Sequence, residues 1–150
     1  MQARRGELVD VLEGSGIIAE VEGRGVGLVT WSISPGETGG DGGHLGAVDR
    51  STAEIRALAV ADAARHRGVG RALLGAAEDG LRAAGVRRAW LVTTNDNLFA
   101  LALYQQSGWR LSALRAGAVD ELRSRVKSSI GLTGQHGIPL RDELELAKAL

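Results

Sequence analysis

The sequence predicts an α/β fold, and three observations carry that prediction. A glycine-containing turn, Arg65-His66-Arg67-Gly68-Val69-Gly70-Arg71, separates an apolar strand-like run at 55–60 from a helical pattern that reaches residue 84. Two further apolar runs, residues 17–22 and 25–33, flank Glu22-Gly23-Arg24-Gly25 and read as a β-hairpin. Beyond residue 88, strand-like and helical patterns alternate to the end of the chain.

Composition narrows the class. The 150 residues suit one domain, 1–150, large enough for its own core. A formal net charge of +0 argues against a general electrostatic affinity for nucleic acid. With no cysteine there is no thiolate metal site, thiol nucleophile or disulfide framework. His44, His66 and His136 are scattered, so no metal is expected. No apolar run approaches about 18 residues and no signal-peptide core is visible, so the expectation is a cytoplasmic protein with no membrane partner.

Taken in order, residues 7–12 fit either a short helix or an edge strand. The stretch 34–51 is rich in glycine and reads as a flexible loop, either a disordered hairpin extension or a mobile lip, with His44 a solvated loop residue. Residues 52–60 alternate, which puts Glu54, Arg56, Leu58 and Val60 on one face and Ile55, Ala57 and Ala59 on the other. In the next helix Val69, Leu73, Leu74, Ala77 and Leu81 make an apolar stripe that Gly85 ends. A strand is expected at 89–94, then a short helix at 97–107 capped by Asn95 or Asp96, and a strand at 109–114. Residues 116–127 carry a second stripe, Val119, Leu122 and Val126, and a terminal strand is expected over 137–146.

The Gly68 turn has chemistry of its own. The first turn of a helix has N–H groups without intrahelical partners and a partial positive charge, so a glycine-rich entry to it seats phosphate well. Arg65, Arg67 and Arg71 would add guanidinium contacts matched to phosphate geometry. A Gly-x-Gly alone is weak; the strand before it and the helix after it give it weight. A dinucleotide fingerprint would need glycine where Leu73 stands, and no P-loop Gly-Lys-Ser/Thr is present.

Two motifs then carry a resemblance. Arg65-x-x-Gly68-x-Gly70 is similar to the pyrophosphate loop of the GNAT (acetyl-CoA-dependent N-acetyltransferase) superfamily. The segment 97–104, from Asn97 through Ala100 to Tyr104, followed by Gly108-Trp109, resembles that superfamily's Asn-x-x-Ala-x-x-x-Tyr and Gly-Phe elements, with Trp109 where Phe is usual. Together they span about residues 54–110. Thr93-Thr94-Asn95-Asp96-Asn97 with the C-terminal ending looks like an unassigned bacterial subgroup. The resemblance implies a mixed central sheet with helices on both faces and acetyl-CoA as cosubstrate, with no metal. It implies an amine acceptor, on a small molecule or a protein. The family pattern places the phosphates on Arg65, His66, Arg67, Gly68, Val69, Gly70, Arg71 and Ala72, with Leu58, Val60 and Asn97 along the rest of the cofactor. It makes Glu54 the general base, the Leu58 N–H the donor to the developing oxyanion, and Tyr104 the acid for the leaving thiolate. Against these stand blander readings: Glu54 paired with Arg56, and Tyr104 a core aromatic. Only about 16 residues precede the first hairpin, so the usual first strand and first helix are expected to be missing. That would leave an apolar surface for a second copy, in a homodimer, to cover. The competing functional class is a non-catalytic acyl-CoA sensor or scaffold of the same descent.

Overall fold

The computed structural model describes residues 2–4, 7–9, 14–34 and 52–150, with side chains from residue 14 onward. Two short strands, β1 (Gln2–Arg4) and β2 (Glu7–Val9), pair antiparallel, so residues 7–9 take the strand option. The main sheet is built from β3 (Ser15–Val21), β4 (Arg24–Ser34), β5 (Thr52–Val60), β6 (Arg88–Thr94), β7 (Arg110–Arg115) and β8 (Glu143–Ala149). Its order is β3-β4-β5-β6-β8-β7, and it is mixed: β5 and β6 run parallel, whereas β3–β4, β4–β5 and β7–β8 are antiparallel. Among the described residues three α-helices accompany it, α1 (Val69–Ala83), α2 (Leu98–Gln106) and α3 (Ala118–Arg125). Apart from Ser34, which ends β4, the expected loop with His44 lies outside the described residues. Among the described residues no helix is long and apolar enough to cross a membrane.

The chain divides into two compact units, Gly14–Trp90 with Ala149–Leu150, and Leu91–Lys148 with the N-terminal residues; β6 passes from one to the other. In the first unit, β3 and β4 turn at Glu22 and Gly23, both at positive φ (52° and 76°), as a two-residue hairpin turn requires. α1 buries Leu73, Leu74, Ala77 and Leu81, the stripe read from the sequence. Its end is a Schellman motif: Val86 N–H reaches Leu81 O at 3.0 Å and Gly85 N–H reaches Arg82 O at 3.0 Å, with Gly85 left-handed at φ 84°. A Cβ on Gly27 would press on Leu73 Cδ1 and Val69 Cγ1, so α1 lies on the sheet face that carries Gly27, Val29 and Trp31.

One irregularity corrects the strand reading. Thr30 pairs with Ala57 but Trp31 pairs with Ile55, which leaves Arg56 as an extra residue, a β-bulge in β5. The bulge reverses the alternation. Leu58 (opposite Val29) and Val60 (opposite Gly27) share the α1 face with Ala53 and Ile55. Glu54 (opposite Ser32) lies on the other face, with Ala57 and Ala59. Simple alternation had put Glu54, Leu58 and Val60 together.

In the second unit α2 ends as α1 does. Trp109 N–H bonds Tyr104 O at 2.9 Å and Gly108 N–H bonds Gln105 O at 3.1 Å, with Gly108 at φ 87°. The side chains at these two positions complete the motif: the Tyr104 and Trp109 rings pack with centroids 6.0 Å apart. Trp109 is fully buried and anchors this unit's core together with Leu91, Leu146, Val119 and Leu122. Val126, expected in the α3 stripe, is 43% exposed because α3 stops at Arg125. The terminal strand begins only at Glu143; residues 135–137 form a single 3-10 turn instead.

Candidate functional site

The site residues fall into two groups, one in each unit. In the first, the hydrogen-bond phase of β5 decides what its backbone can offer. Ala61 N–H bonds Val26 O at 2.8 Å, so residues 61 and 26 are a hydrogen-bonded pair in the β4–β5 register. Antiparallel pairs alternate, so Ala59 and Ala57 also bond to β4, while Leu58 and Val60 direct N–H and C=O to the opposite edge. The ladder on that edge is short: β5 pairs with β6 only at Thr52, Ala53 and Glu54. Among the described residues no strand pairs with the outer edge of β5 from Ala57 to Val60. Leu58 and Val60 therefore present backbone N–H groups outward from a rigid strand.

The chain then turns into α1. Residues 62–64 make one 3-10 turn, His66 has φ 63° and Gly68 has φ 79° before α1 begins at Val69. A left-handed residue followed by a right-handed one points successive N–H groups into one concavity, an anion nest. Nothing lies within 4 Å of the position a Gly68 Cβ would take, so the turn is open on that side. The first bond inside the helix is Ala72 N–H to Gly68 O at 3.0 Å. Ala72 N–H is thus committed to the helix, and the first-turn donors are Val69, Gly70 and Arg71. Arg67 and Arg71 are exposed beside them. Arg65 is tied back across the turn, with Nε 3.4 Å from Val60 O and Nη2 3.1 Å from the Asp62 carboxylate. It braces the turn.

Glu54 sits on the face opposite α1, its side chain 13% exposed. Arg56, two residues along the strand on the same side, places Nε 3.9 Å from the Glu54 carboxylate and donates to Ser32 Oγ at 3.1 Å. A carboxylate at this position is held beside a cation in a largely desolvated setting.

The second group surrounds α2. Asn97 is the N-cap, its Oδ1 accepting from Ala100 N–H at 3.2 Å. This corrects the expected cap: Asn95 and Asp96 are used elsewhere. Asn95 Oδ1 accepts from Arg141 and Asp142 N–H, both at 3.0 Å, while its Nδ2 donates to Pro139 O at 2.8 Å. Asp96, buried, accepts from the Thr94 hydroxyl and from Gln135 N–H. Tyr104 is buried against Trp109, in keeping with the core-aromatic reading, seven residues along the helix from Asn97. Sequence reasoning expected the Glu54–Arg56 pair but missed the roles of Asn95 and Asp96. The adjacent polar run at 93–97 was a visible signal for the last two.

Comparison with known proteins follows the same lines. The sequence model of the acetyltransferase (GNAT) family matches residues 3–109. The chain is similar to the uncharacterized protein YxbD of Bacillus subtilis, 45% identical over 85 residues, 57% of this chain and 53% of that protein. It is 43% identical to a mycothiol acetyltransferase of Beutenbergia cavernae over 82 residues, 51% of this chain and 28% of that protein. The match thus spans about half the length of these curated relatives, or less. In fold, it superposes on a Bacillus subtilis acetyltransferase solved in complex with CoA with a TM-score of 0.73 at 22% identity, covering 93% of this chain and 80% of that one. An IAA acetyltransferase from Bacillus cereus gives 0.71 at 23% identity, covering 90% and 77%. A family model that covers residues 3–109, together with the mixed sheet, settles the descent: this chain belongs to the GNAT acetyltransferase family.

Proposed function

We propose that the protein transfers an acetyl group from acetyl-CoA to a primary amine, with residues 1–150 acting as one domain. The observation that carries this reading is the row of outward backbone donors, first Leu58 and Val60 on β5 and then the first turn of α1 after the left-handed Gly68. Such a row suits a long ligand with a thioester at one end and a pyrophosphate at the other. The Leu58 N–H would stabilise negative charge on the thioester oxygen as the amine nitrogen attacks the carbonyl carbon. The nest and Arg67 and Arg71 would hold the phosphates. CoA or acetyl-CoA is present in several solved relatives, which supports the same ligand here.

The bulge gives the reaction two sides. The donor lies along the edge of β5, and Glu54 faces away from α1, so the acceptor amine approaches from the face opposite that helix. There Glu54, directly or through one water, takes the proton that the ammonium must lose before it attacks. As the C–N bond forms and the C–S bond breaks, the departing thiolate takes up a proton, the role that the family resemblance gives to the Tyr104 hydroxyl.

The test pairs calorimetry of CoA and acetyl-CoA with release of free CoA thiol over a broad amine panel. Binding of both, with thiol release that depends on amine, is the expected result. Binding without amine-dependent release at any panel member would favour the non-catalytic acyl-CoA sensor instead. Absence of binding would remove the donor site altogether.

A further inference from the structure

Glu54 and Arg56 are the only charged residues along β4 from Gly25 to Ser34 and along the whole of β5. The other charges of β3 and β4, Glu20 and Arg24, lie beside the turn that joins those strands. Both members of the pair sit on the face opposite α1, and the carboxylate is 13% and the arginine side chain 20% exposed. An ion pair so largely withdrawn from water gains little over apolar side chains of the same size, because lost hydration offsets the attraction. Its geometry is not that of a closed pair either. Arg56 Nε stands 3.9 Å from Glu54 Oε2, beyond hydrogen-bond reach, while it donates to Ser32 Oγ at 3.1 Å. Ser32, opposite Glu54 in the β4–β5 register, thus fixes the guanidinium beside the carboxylate rather than on it. A negative and a positive group are held side by side on one face.

Position along the strand gives this pair a use. Arg56 lies midway between Glu54, the proposed proton acceptor, and Leu58, whose N–H faces the thioester oxygen in the proposed reaction. An acceptor nitrogen that reaches the thioester while giving its proton to Glu54 passes beside the guanidinium. For a simple amine this is unfavourable, since its ammonium meets a fixed cation at close range. An α-amino acid turns the same cation to advantage. Its ammonium and carboxylate leave one carbon and can face Glu54 and Arg56 together, and a carboxylate matches the guanidinium fork.

We infer that the acceptor of the proposed acetyltransferase is an α-amino acid with a free carboxylate, rather than a simple amine, a polyamine or a protein N-terminus, and that Arg56, set by Ser32, is the specificity-determining residue that binds this carboxylate. This rests on the acetyl-transfer reading above. The experiment measures kcat/KM for alanine, phenylalanine and lysine, each beside its carboxamide and its decarboxylated amine, in the wild type, Arg56→Met and Arg56→Lys, with CoA affinity measured in all three proteins. The carboxamide is a stronger ammonium acid than the amino acid and the plain amine a weaker one, so a preference over both does not come from amine acidity. In at least one set the wild type should prefer the free amino acid to both controls by about ten- to a hundredfold, the scale of one charge-assisted hydrogen bond. Arg56→Met should erase that ratio through KM with CoA affinity kept, and Arg56→Lys, which keeps the charge without the fork, should retain part of it. If Arg56→Met does not fold, Ser32→Ala takes its place: it releases the guanidinium to close on Glu54 and should lower the ratio. A wild type that takes either control as well as the free acid in every set overturns the inference and leaves the acetyl-transfer reading standing. So does a ratio that survives in folded Arg56→Met or, in its place, in Ser32→Ala. CoA binding with no turnover of any of these compounds or of the wider amine panel overturns that reading, and the inference with it.

Discussion

Gly68→Ala separates the backbone strain of the turn from its role as an anion seat. At φ 79° an L-residue is disfavoured, by about 1–2 kcal/mol. The new Cβ meets nothing within 4 Å, so no steric contribution adds to that. For a chain of this size each kcal/mol lowers Tm by about 2–4 °C. Gly23→Ala is a matched control: φ is 76°, the Cβ is again in open space, and the residue lies in the β3–β4 turn. Both variants should therefore lose similar stability. They should differ in CoA binding. A methyl group in the nest, or a turn that relaxes to avoid the left-handed conformation, costs one or two charge-assisted hydrogen bonds to phosphate, each worth about 1.5–3 kcal/mol. That is a rise in Kd on the order of 10- to 10²-fold or more for Gly68→Ala, and none for Gly23→Ala. Gly68→Glu, which adds a negative charge at the seat, should bind more weakly still. Calorimetry with CoA and melting curves on all three proteins decide the matter. Equal Tm losses with unchanged CoA affinity in both Gly68 variants would refute the placement of the pyrophosphate.

Three further outcomes are expected. Glu54→Gln keeps the shape and the contact with Arg56 and removes the titratable carboxylate; kcat should fall about 10²-fold or more with CoA affinity kept, and a normal rate would return Glu54 to a structural partner of Arg56. Tyr104→Phe retains the ring packed on Trp109, so Tm should barely move while turnover falls on the order of 10²-fold; a loss of stability at normal rate would make the hydroxyl structural. Asn97→Ala deletes the cap on Ala100 N–H and should cost about 1 kcal/mol, measured by urea unfolding, whereas Asn97→Asp, a good cap, should recover it. Equal stability in the two Asn97 variants would show that the cap contributes nothing.

Much of the architecture is local chemistry and was legible in the chain. The bounds of β5, the buried stripe of α1 and the left-handed turns at Gly68 and Gly85 follow from residue type and period, because a few neighbouring residues fix them. The motif Gly108-Trp109 also has a local cause, the Schellman end of α2 with Trp109 against Tyr104. What the tertiary structure alone decided depends on partners distant in sequence. The face that Glu54 occupies is set by the bulge at Arg56, and a bulge exists only relative to the register of β4, some 24 residues away. Whether Leu58 N–H points at β4 or away from it is a matter of hydrogen-bond phase, which no pattern of apolar residues encodes. The run Asn95-Asp96-Asn97 offers three equivalent-looking caps. Only the return of residues 135–142 to the end of β6 assigns Asn95 and Asp96 to that segment and leaves Asn97 for the helix, because each side chain goes to the backbone donors that the fold brings within reach.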